Sequence, residues 1–342
     1  MSGMTTAGVD GALVVDCHVH ILEPDWNPGT EDGLEGLSES WARQVRWYYG
    51  PKVDPDHLRA SIAECWDGSG DKLVARMDAA GVDVSVLMPM DHSWVLGEEG
   101  VLPIAEKNRR CREACARHEG RIFSFVGVDP RRPDAEAIVR EALADGAIGL
   151  KLYPTNGFYP DDPICDPLYR ACLDHDVPVL FHTGHSAGRQ KSKYGHPMYI
   201  DSVAADHPEL RLVMGHSGRF EGWSREALAV ALYKTNTYLD LSLWQHFISP
   251  DELVRQLVWM RDRIGLERVL FGSDMVGIDV SLSLAQWADL IRSMPEWANQ
   301  LGYRLLPAEV DLVLGESCRR CYRIPDAALA VKEARAASPA GR

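Results

Sequence analysis

The sequence lacks a long apolar run and a cluster of basic residues. Nowhere do about 18 consecutive apolar residues occur, the length that a membrane span needs. Residues 1–16 have no charged region followed by an apolar stretch, so no export signal is expected. The formal net charge of -14 opposes binding to phosphate backbones or anionic lipid. We therefore expect a cytoplasmic protein that takes a small-molecule substrate, with neither nucleic acid nor a membrane as its partner.

Cysteine is too sparse for a disulfide scaffold, with eight residues in a chain of 342. Several lie in apolar runs, where a reduced thiol packs as a small hydrophobe. The closest pair, Cys318 and Cys321, has no second pair to complete a metal site and falls in a predicted C-terminal helix, so we interpret it as structural. A glycine-rich dinucleotide fingerprint is also missing after the first predicted strand, which disfavours an open, doubly wound sheet.

Short runs rich in Val, Ile, Leu and Phe alternate with amphipathic segments of helical period. The predicted strands are residues 13–17, 83–88, 122–128, 147–153, 177–182, 210–215, 237–242 and 268–272. The predicted helices between and after them include residues 72–80, 103–118, 134–144, 163–175 and 250–264. Near-continuous apolar strands separated by helices are typical of a parallel sheet buried on both faces. The pattern predicts an α/β fold, a (β/α)₈ TIM barrel that forms one domain over residues 1–342.

One segment, residues 22–70, interrupts this alternation after the first strand. It is far longer than an ordinary strand-to-helix connection and would overhang the active-site face. Its aromatic residues are Trp26, Trp41, Trp47, Tyr48, Tyr49 and Trp66. We interpret the segment as a lid or subunit contact that shapes the pocket, or as a compact surface subdomain with its own core. A homodimer is expected.

Potential metal ligands stand at the ends of several predicted strands. His18 and His20 lie two residues apart at the end of the first strand, so strand alternation directs both imidazoles to one side. His182, His216 and Asp274 follow later strands at corresponding positions. Imidazole and carboxylate groups are ligands that zinc, iron and manganese accept. We predict one or two divalent metal ions at the carboxyl ends of the barrel strands.

The motifs DCHVH, GLKLYP, VLFHTG, LVMGHSG and LFGSDM occur in an order that resembles the amidohydrolase superfamily. Within it, the chain is similar to the branch related to aminocarboxymuconate semialdehyde decarboxylase, over nearly its whole length. The resemblance implies that His18, His20, His182 and Asp274 bind metal, and that His216 is either a second-metal ligand or a catalytic acid-base residue. In GESCRRCYRI, Cys318 stands where asparagine is usual in the family, a departure that leaves the metal ligands unaffected.

Lys151 is predicted to face the barrel interior, because Leu150 and Leu152 face the helices. In binuclear members that the motif resembles, such a lysine takes up carbon dioxide and becomes a carbamate that bridges two metals. One ion would then be held by His18, His20 and Asp274, and the other by His182 and His216. In the alternative, Lys151 stays cationic and pairs with a carboxylate or an anionic substrate above a single metal.

Four residues are predicted to contact substrate: Tyr153, His185, Arg219 and Trp244. Tyr153 shares the inward face of its strand with Lys151, and the other three lie in segments that follow strands at the pocket mouth. An arginine there suits a substrate carboxylate or phosphate. A solvated loop, or barrel packing for the tryptophan, is the alternative interpretation.

The ligand pattern favours a metal-dependent hydrolase of a fairly large, apolar acyl substrate. A metal-activated water would attack an amide, ester, lactone or thioester carbonyl, and the catalytic residues Asp274 and His216 would move the protons. The alternative is non-oxidative decarboxylation of an aromatic or unsaturated carboxylic acid on a single metal. A non-catalytic barrel that only binds a ligand is disfavoured, because nothing in such a protein requires the complete ligand set.

Overall fold

A computed structural model of the chain describes residues 12–23, 66–97, 102–186, 189–275 and 282–337. Within these residues all strands are short and parallel. They are β1 (Val15–Val19), β2 (Val84–Leu87), β3 (Ile122–Ser124), β4 (Val126–Gly127), β5 (Leu150–Leu152), β6 (Val179–His182), β7 (Leu212–Gly215), β8 (Thr237–Asp240) and β9 (Val269–Leu270). Strands pair in sequence order, β1 to β3 in one sheet and β4 to β9 in another.

Helices follow most strands and cover the outside of this sheet. They are α1 (Asp71–Ala80), α2 (Ser93–Leu96), α3 (Ile104–Arg117), α4 (Ala135–Ala144), α5 (Asp166–Asp174), α6 (Met198–Asp206), α7 (Ser224–Tyr233), α8 (Pro250–Arg263), α9 (Leu284–Arg292), α10 (Met294–Gln300), α11 (Pro307–Asp311), α12 (Ser317–Tyr322) and α13 (Ala327–Ala337). In the described part of the chain, no helix combines the length and the hydropathy that a bilayer crossing requires.

Backbone hydrogen bonds join the two sheets into one ring. Between β2 and β4, the Phe125 N–H donates to the Leu87 carbonyl at 2.9 Å, so β3 and β4 are two parts of one barrel strand. At the other junction, the Cys17 N–H donates to the Phe271 carbonyl at 2.9 Å, which links β1 to the strand that contains β9. All eight predicted strands are therefore present, and the predicted (β/α)₈ barrel is confirmed.

Strand alternation divides the core into an inner and an outer layer. The inner layer combines strand residues such as Val84, Phe125 and Leu180 with Cys318 and Tyr322 of the C-terminal helix α12. The Phe125 and Tyr322 rings lie 4.8 Å apart, so α12 closes one end of the barrel interior. Cys318 and Cys321 are both buried, and burial raises the pKa of the Cys318 thiol well above its usual value. This setting supports the structural interpretation of the pair, because a buried thiol in apolar surroundings is unreactive.

The predicted insertion at residues 22–70 lies mostly outside the described residues, which resume at Trp66. Of its aromatic side chains, only that of Trp66 is described. Leu22 and Trp66 form a parallel bridge, and the Asp67 N–H donates to the Leu22 carbonyl at 2.9 Å. The two ends of the segment therefore meet at the carboxyl end of β1, beside the predicted site.

Gly315 is where the C-terminal segment packs most closely on the barrel. It lies in the turn Leu312–Glu316, and a Cβ atom built there would be 1.7 Å from the carbonyl oxygen of Leu13. Gly315→Ala must therefore push this turn away from β1, and we expect it to lower the free energy of unfolding by about 1–3 kcal/mol. Urea denaturation checks this against Asn299→Ala at an exposed site of α10, and equal midpoints for the two variants would contradict it.

Candidate metal centre

His18 and His20 leave β1 with their Nδ1 atoms already engaged. His18 Nδ1 lies 2.7 Å from the Asp240 carboxylate, and His20 Nδ1 donates to the Met88 carbonyl at 2.6 Å. Such partners hold a neutral imidazole with its proton on Nδ1 and leave a lone pair on Nε2. Both Nε2 atoms face the same Asp274 oxygen, at 3.3 Å from His18 and 3.0 Å from His20. The first strand therefore presents two nitrogen donors to one point.

Asp274 reaches this point through an unusual backbone conformation. Its φ is 57°, and its N–H donates to the His18 carbonyl at 2.8 Å. His216, Ser217 and Arg219 near the same end of the barrel also have positive φ. Such conformations cost about 1–3 kcal/mol each in non-glycine residues and persist where the surrounding structure over-determines them, often at functional sites. The backbone near the centre is thus held in a shape that local preference does not favour.

His182 and His216 extend the cluster across β6 and β7. His182 Nδ1 lies 3.1 Å from His216 Nε2, and the His216 ring stacks on the His18 ring with centroids 4.9 Å apart. Ligand atoms of His18, His216 and Asp274 all lie within 4.8 Å of one another. The structure therefore brings together all five residues predicted from the strand ends.

Burial keeps the imidazoles of His18, His182 and His216 neutral. It lowers the pKa of His18, His182 and His216 well below 6.5, and the positive charge of Lys151 adds to the effect at all three. For Asp274, burial raises the pKa, but the nearby His18, His20 and Lys151 outweigh it and the pKa is lowered overall. Neutral imidazoles beside an ionised carboxylate are the protonation states that a divalent cation requires of its ligands. The donor set therefore fits such an ion.

Lys151 points into the barrel, as predicted from alternation on β5. Its Nζ lies 3.1 Å from His18 Nε2, and the side chain is almost fully buried. Burial lowers the pKa of Lys151 to about 8, although Asp274 and Asp240 oppose the shift. A sizeable neutral fraction of the amine therefore exists near pH 8. Whether this amine carries a carbamate stays a prediction.

Arg219 is a buried cation beside the centre. Its side chain crosses Gly184, where a Cβ atom would lie 2.5 Å from Arg219 Cγ, so only glycine fits there. The guanidinium donates to the His185 carbonyl at 3.0 Å and lies 5.5 Å from the centroid of the Phe247 ring. Its charge contributes to the lowered pKa of His182, so it acts within electrostatic range of the cluster.

The other predicted substrate residues differ in their surroundings. Tyr153 stacks on the His182 ring, with centroids 4.2 Å apart. His185 packs on Trp223 at 4.3 Å. Trp244 is fully buried and its indole N–H donates to the His216 carbonyl at 2.9 Å, so it braces the backbone of His216. A substrate contact at each stays a prediction, and the burial of Trp244 does not favour one there.

The sequence argument missed three buried polar residues that support the cluster. Asp240 and Ser242, at the end of β8, contact both His18 and His216. Asp16 accepts hydrogen bonds from the N–H and the hydroxyl of Ser273, at 2.9 and 2.6 Å, and ties β1 to the segment that carries Asp274. The sequence signal that could have identified them is an acidic residue inside an apolar strand, because burial of a carboxylate without partners costs free energy.

Comparison with known families and structures agrees with this architecture. The profile of a family described as Amidohydrolase matches residues 15–324. A 5-carboxyvanillate decarboxylase from Novosphingobium aromaticivorans, solved with manganese and 4-hydroxy-3-methoxy-5-nitrobenzoic acid, is 16% identical to the chain. Its TM-score is 0.65, over 94% of this chain and 100% of that one. A comparison with curated proteins finds no match.

Two further solved structures have a similar fold. A 2,6-dihydroxybenzoate decarboxylase from Rhizobium is 16% identical, with a TM-score of 0.60 over 91% of this chain and 99% of that one. An uncharacterised TIM-barrel protein from Bordetella bronchiseptica is 19% identical, with a TM-score of 0.64 over 91% and 98% of the two chains. At these identities the structures support the fold and leave the reaction open.

Proposed function

Since the chain belongs to the amidohydrolase family, we propose that it is a metal-dependent, non-oxidative decarboxylase of an aromatic carboxylic acid. Two of the similar solved structures are decarboxylases of aromatic acids, and one of them holds manganese. This support favours decarboxylation over the hydrolysis that the sequence suggested first.

The observation that carries the proposal is the buried guanidinium of Arg219 beside the imidazole cluster. The Arg219 side chain is 6% exposed, and its positive charge acts on His182, so a substrate anion bound at the cluster would lie within reach of a charged hydrogen-bond donor. Its planar fork matches the two oxygens of a carboxylate. Tyr153, whose ring stacks on that of His182, is the aromatic residue that would contact an aromatic ring on the substrate.

The residues that would hold a metal are His18, His20, His182, His216 and Asp274. When bound, a divalent ion would supply Lewis acidity for the oxygen atoms of the substrate. Burial holds the imidazoles of His18, His182 and His216 neutral, and Asp240 and Met88 orient those of His18 and His20. Arg219 would orient the carboxylate so that the carbon atom that bears it faces Asp274.

Asp274 is the acid-base group that a substrate can reach. Its side chain is 15% exposed, whereas that of His18 is fully buried. In decarboxylation the bond between the ring carbon and the carboxyl carbon breaks, carbon dioxide leaves, and the electron pair stays on the ring carbon, which takes a proton. The proton comes from solvent water through the ionised Asp274, which would deliver it to that carbon, and the hydroxide left from the water combines with the released carbon dioxide as bicarbonate.

Arg219→Met should weaken substrate binding far more than it slows the chemistry. A hydrogen bond to a charged group contributes about 1.5–3 kcal/mol, so we expect KM to rise about 10- to 100-fold. Steady-state kinetics with the best aromatic acid would measure this, with Arg225→Met on an exposed site of α7 as the matched control. An unchanged KM in Arg219→Met would remove the anion-binding role.

The proposed reaction is tested by carbon dioxide release. The protein, reconstituted separately with manganese and zinc, would be incubated with hydroxybenzoates labelled with ¹³C at the carboxylate, and labelled bicarbonate would be followed by NMR. Label release with formation of the decarboxylated ring supports the proposal. Turnover of esters, lactones or amides by the same preparations, with no label release from any acid, would overturn it.

Hydrolysis is the second candidate, and the position of Lys151 favours it. Its Nζ lies 3.1 Å from His18 Nε2, and a pKa of about 8 allows the amine to react with carbon dioxide. A ¹³C-labelled carbamate signal that Lys151→Met abolishes, together with two metal ions per chain, would favour the hydrolase. One ion and an unmodified lysine would favour the decarboxylase.

A further inference from the structure

Asp240 is a buried carboxylate that contacts four hydrogen-bonding groups. Its Oδ2 atom lies 2.7 Å from His18 Nδ1, 2.7 Å from the Ser242 hydroxyl and 3.3 Å from the His216 N–H. Its Oδ1 atom accepts from the Ser242 N–H at 2.7 Å. The N–H groups of Ser242 and His216 can only donate, and an ionised carboxylate satisfies all four contacts by accepting from the Ser242 hydroxyl and His18 Nδ1 as well.

The ionised Asp240 decides where the proton of His18 lies. Because the carboxylate accepts, His18 must carry its proton on Nδ1, and its Nε2 keeps a free lone pair. That Nε2 atom is the one that lies 3.3 Å from Asp274. Asp240 therefore contacts the Nδ1 side of the His18 ring and orients Nε2 towards the centre, although Asp240 is not itself a predicted metal ligand.

The same carboxylate also decides the proton of His216, through Ser242. The single hydroxyl proton of Ser242 is donated to Asp240, so its oxygen accepts from His216 Nδ1 at 2.8 Å. His216 then has its proton on Nδ1 and a lone pair on Nε2. If the hydroxyl instead donated to His216, the proton of that ring would lie on Nε2, and His216 could not act as a ligand through that atom.

We propose that Asp240 and Ser242 are positioning residues that set the tautomers of His18 and His216, so that both rings present an unprotonated Nε2 to the metal centre. The inference rests on the metal site of the proposed function and does not depend on the reaction catalysed there. Removal of partners that orient metal ligands typically lowers metal affinity about 10- to 100-fold.

Three variants separate this role from a purely structural one. Asp240→Asn places an amide donor among groups that must now rearrange, and should move the protons of both His18 and His216 to Nε2. Ser242→Ala removes the 2.8 Å partner of His216 Nδ1, whereas His18 Nδ1 loses only a 3.2 Å contact with that hydroxyl and keeps Asp240 at 2.7 Å, so His18 should keep its tautomer. Ser217→Ala is the matched control, because the Ser217 hydroxyl donates to the backbone carbonyl of Asp240 at 2.8 Å and not to its carboxylate.

The readouts are the ¹⁵N chemical shifts of the histidine rings in metal-free protein and the affinity for Mn²⁺ by calorimetry. We expect both tautomers to change in Asp240→Asn, only that of His216 to change in Ser242→Ala, and neither in Ser217→Ala. Mn²⁺ affinity should fall about 10- to 100-fold in the first two, and Ser242→Thr should restore it. Unchanged ring shifts with the same loss of affinity in all three would overturn the proposal.

If Asp240→Asn does not fold, the comparison of Ser242→Ala with Ser242→Thr still decides the role at His216. The tautomer measurement uses neither substrate nor turnover. A protein with the expected ring shifts but no decarboxylation would therefore refute the proposed function while leaving this inference intact.

Discussion

Asp274→Asn is expected to leave the fold intact and to lower kcat about 100- to 10,000-fold, the usual contribution of a positioned acid-base group. The backbone bond from the Asp274 N–H to the His18 carbonyl stays in place, and asparagine adopts a positive φ as readily as aspartate. The amide nitrogen of asparagine can donate to the lone pair of His20 Nε2, which now lies 3.0 Å from the carboxylate. What the variant loses is the group that takes up and delivers a proton.

This experiment needs saturating metal, because Asp274 is also a predicted ligand. The rate is therefore compared after the metal content of each sample has been measured. Asp262→Asn on the exposed face of α8 is the matched control, and it should keep full activity. If Asp274→Asn retains near-normal kcat at full metal occupancy, the acid-base group must be sought elsewhere.

Removal of metal by a chelator is expected to abolish turnover and to lower the melting temperature, and Mn²⁺ should restore both. The reason is that the five donors converge only in the folded barrel, so a bound ion stabilises the native state alone. At a free ion concentration of 100 times Kd this linkage contributes about 2.7 kcal/mol. Thermal unfolding with and without Mn²⁺ measures it.

A pair of histidine variants shows whether Mn²⁺ raises the melting temperature by binding at the proposed centre. His18→Asn should remove most of the Mn²⁺-dependent rise in melting temperature, since it deletes a donor at the centre of the cluster. His175→Asn, at an exposed position after α5, should show the same rise as the native protein. Equal stabilisation of both variants by Mn²⁺ would mean that the ion binds at another place.

The barrel was predictable because its signals are local. Each strand is a short apolar run bounded by turn residues, and the alternation of Leu150, Lys151 and Leu152 correctly places the lysine inside. The division of the third predicted strand into β3 and β4 was not predictable, since it reflects the junction of two sheets around Phe125. The interpretation of residues 22–70 as a lid, subunit contact or subdomain stays a prediction, because only the two ends of this segment are described.

The candidate site was predictable to the extent that its residues belong to strand ends. His18, His20, His182, His216 and Asp274 meet because parallel strands in a barrel bring their carboxyl ends to one mouth. The roles of Asp240 and Ser242 were not predictable, because a carboxylate in an apolar strand does not reveal which ring it will meet. Likewise, the sequence alone did not show whether Trp244 contacts substrate or packs in the barrel. In the structure its indole N–H donates to the His216 carbonyl.

The amino-acid sequence by itself determined the strand and helix pattern, the inward side of each strand and the chemical character of the residues at the mouth. These follow from periodicity and residue type, which act over a few neighbouring positions. Only the tertiary structure decided which nitrogen of each imidazole is turned to the centre. That choice depends on partners such as Asp240, 222 positions from His18 in the chain, which barrel closure alone brings within 2.7 Å.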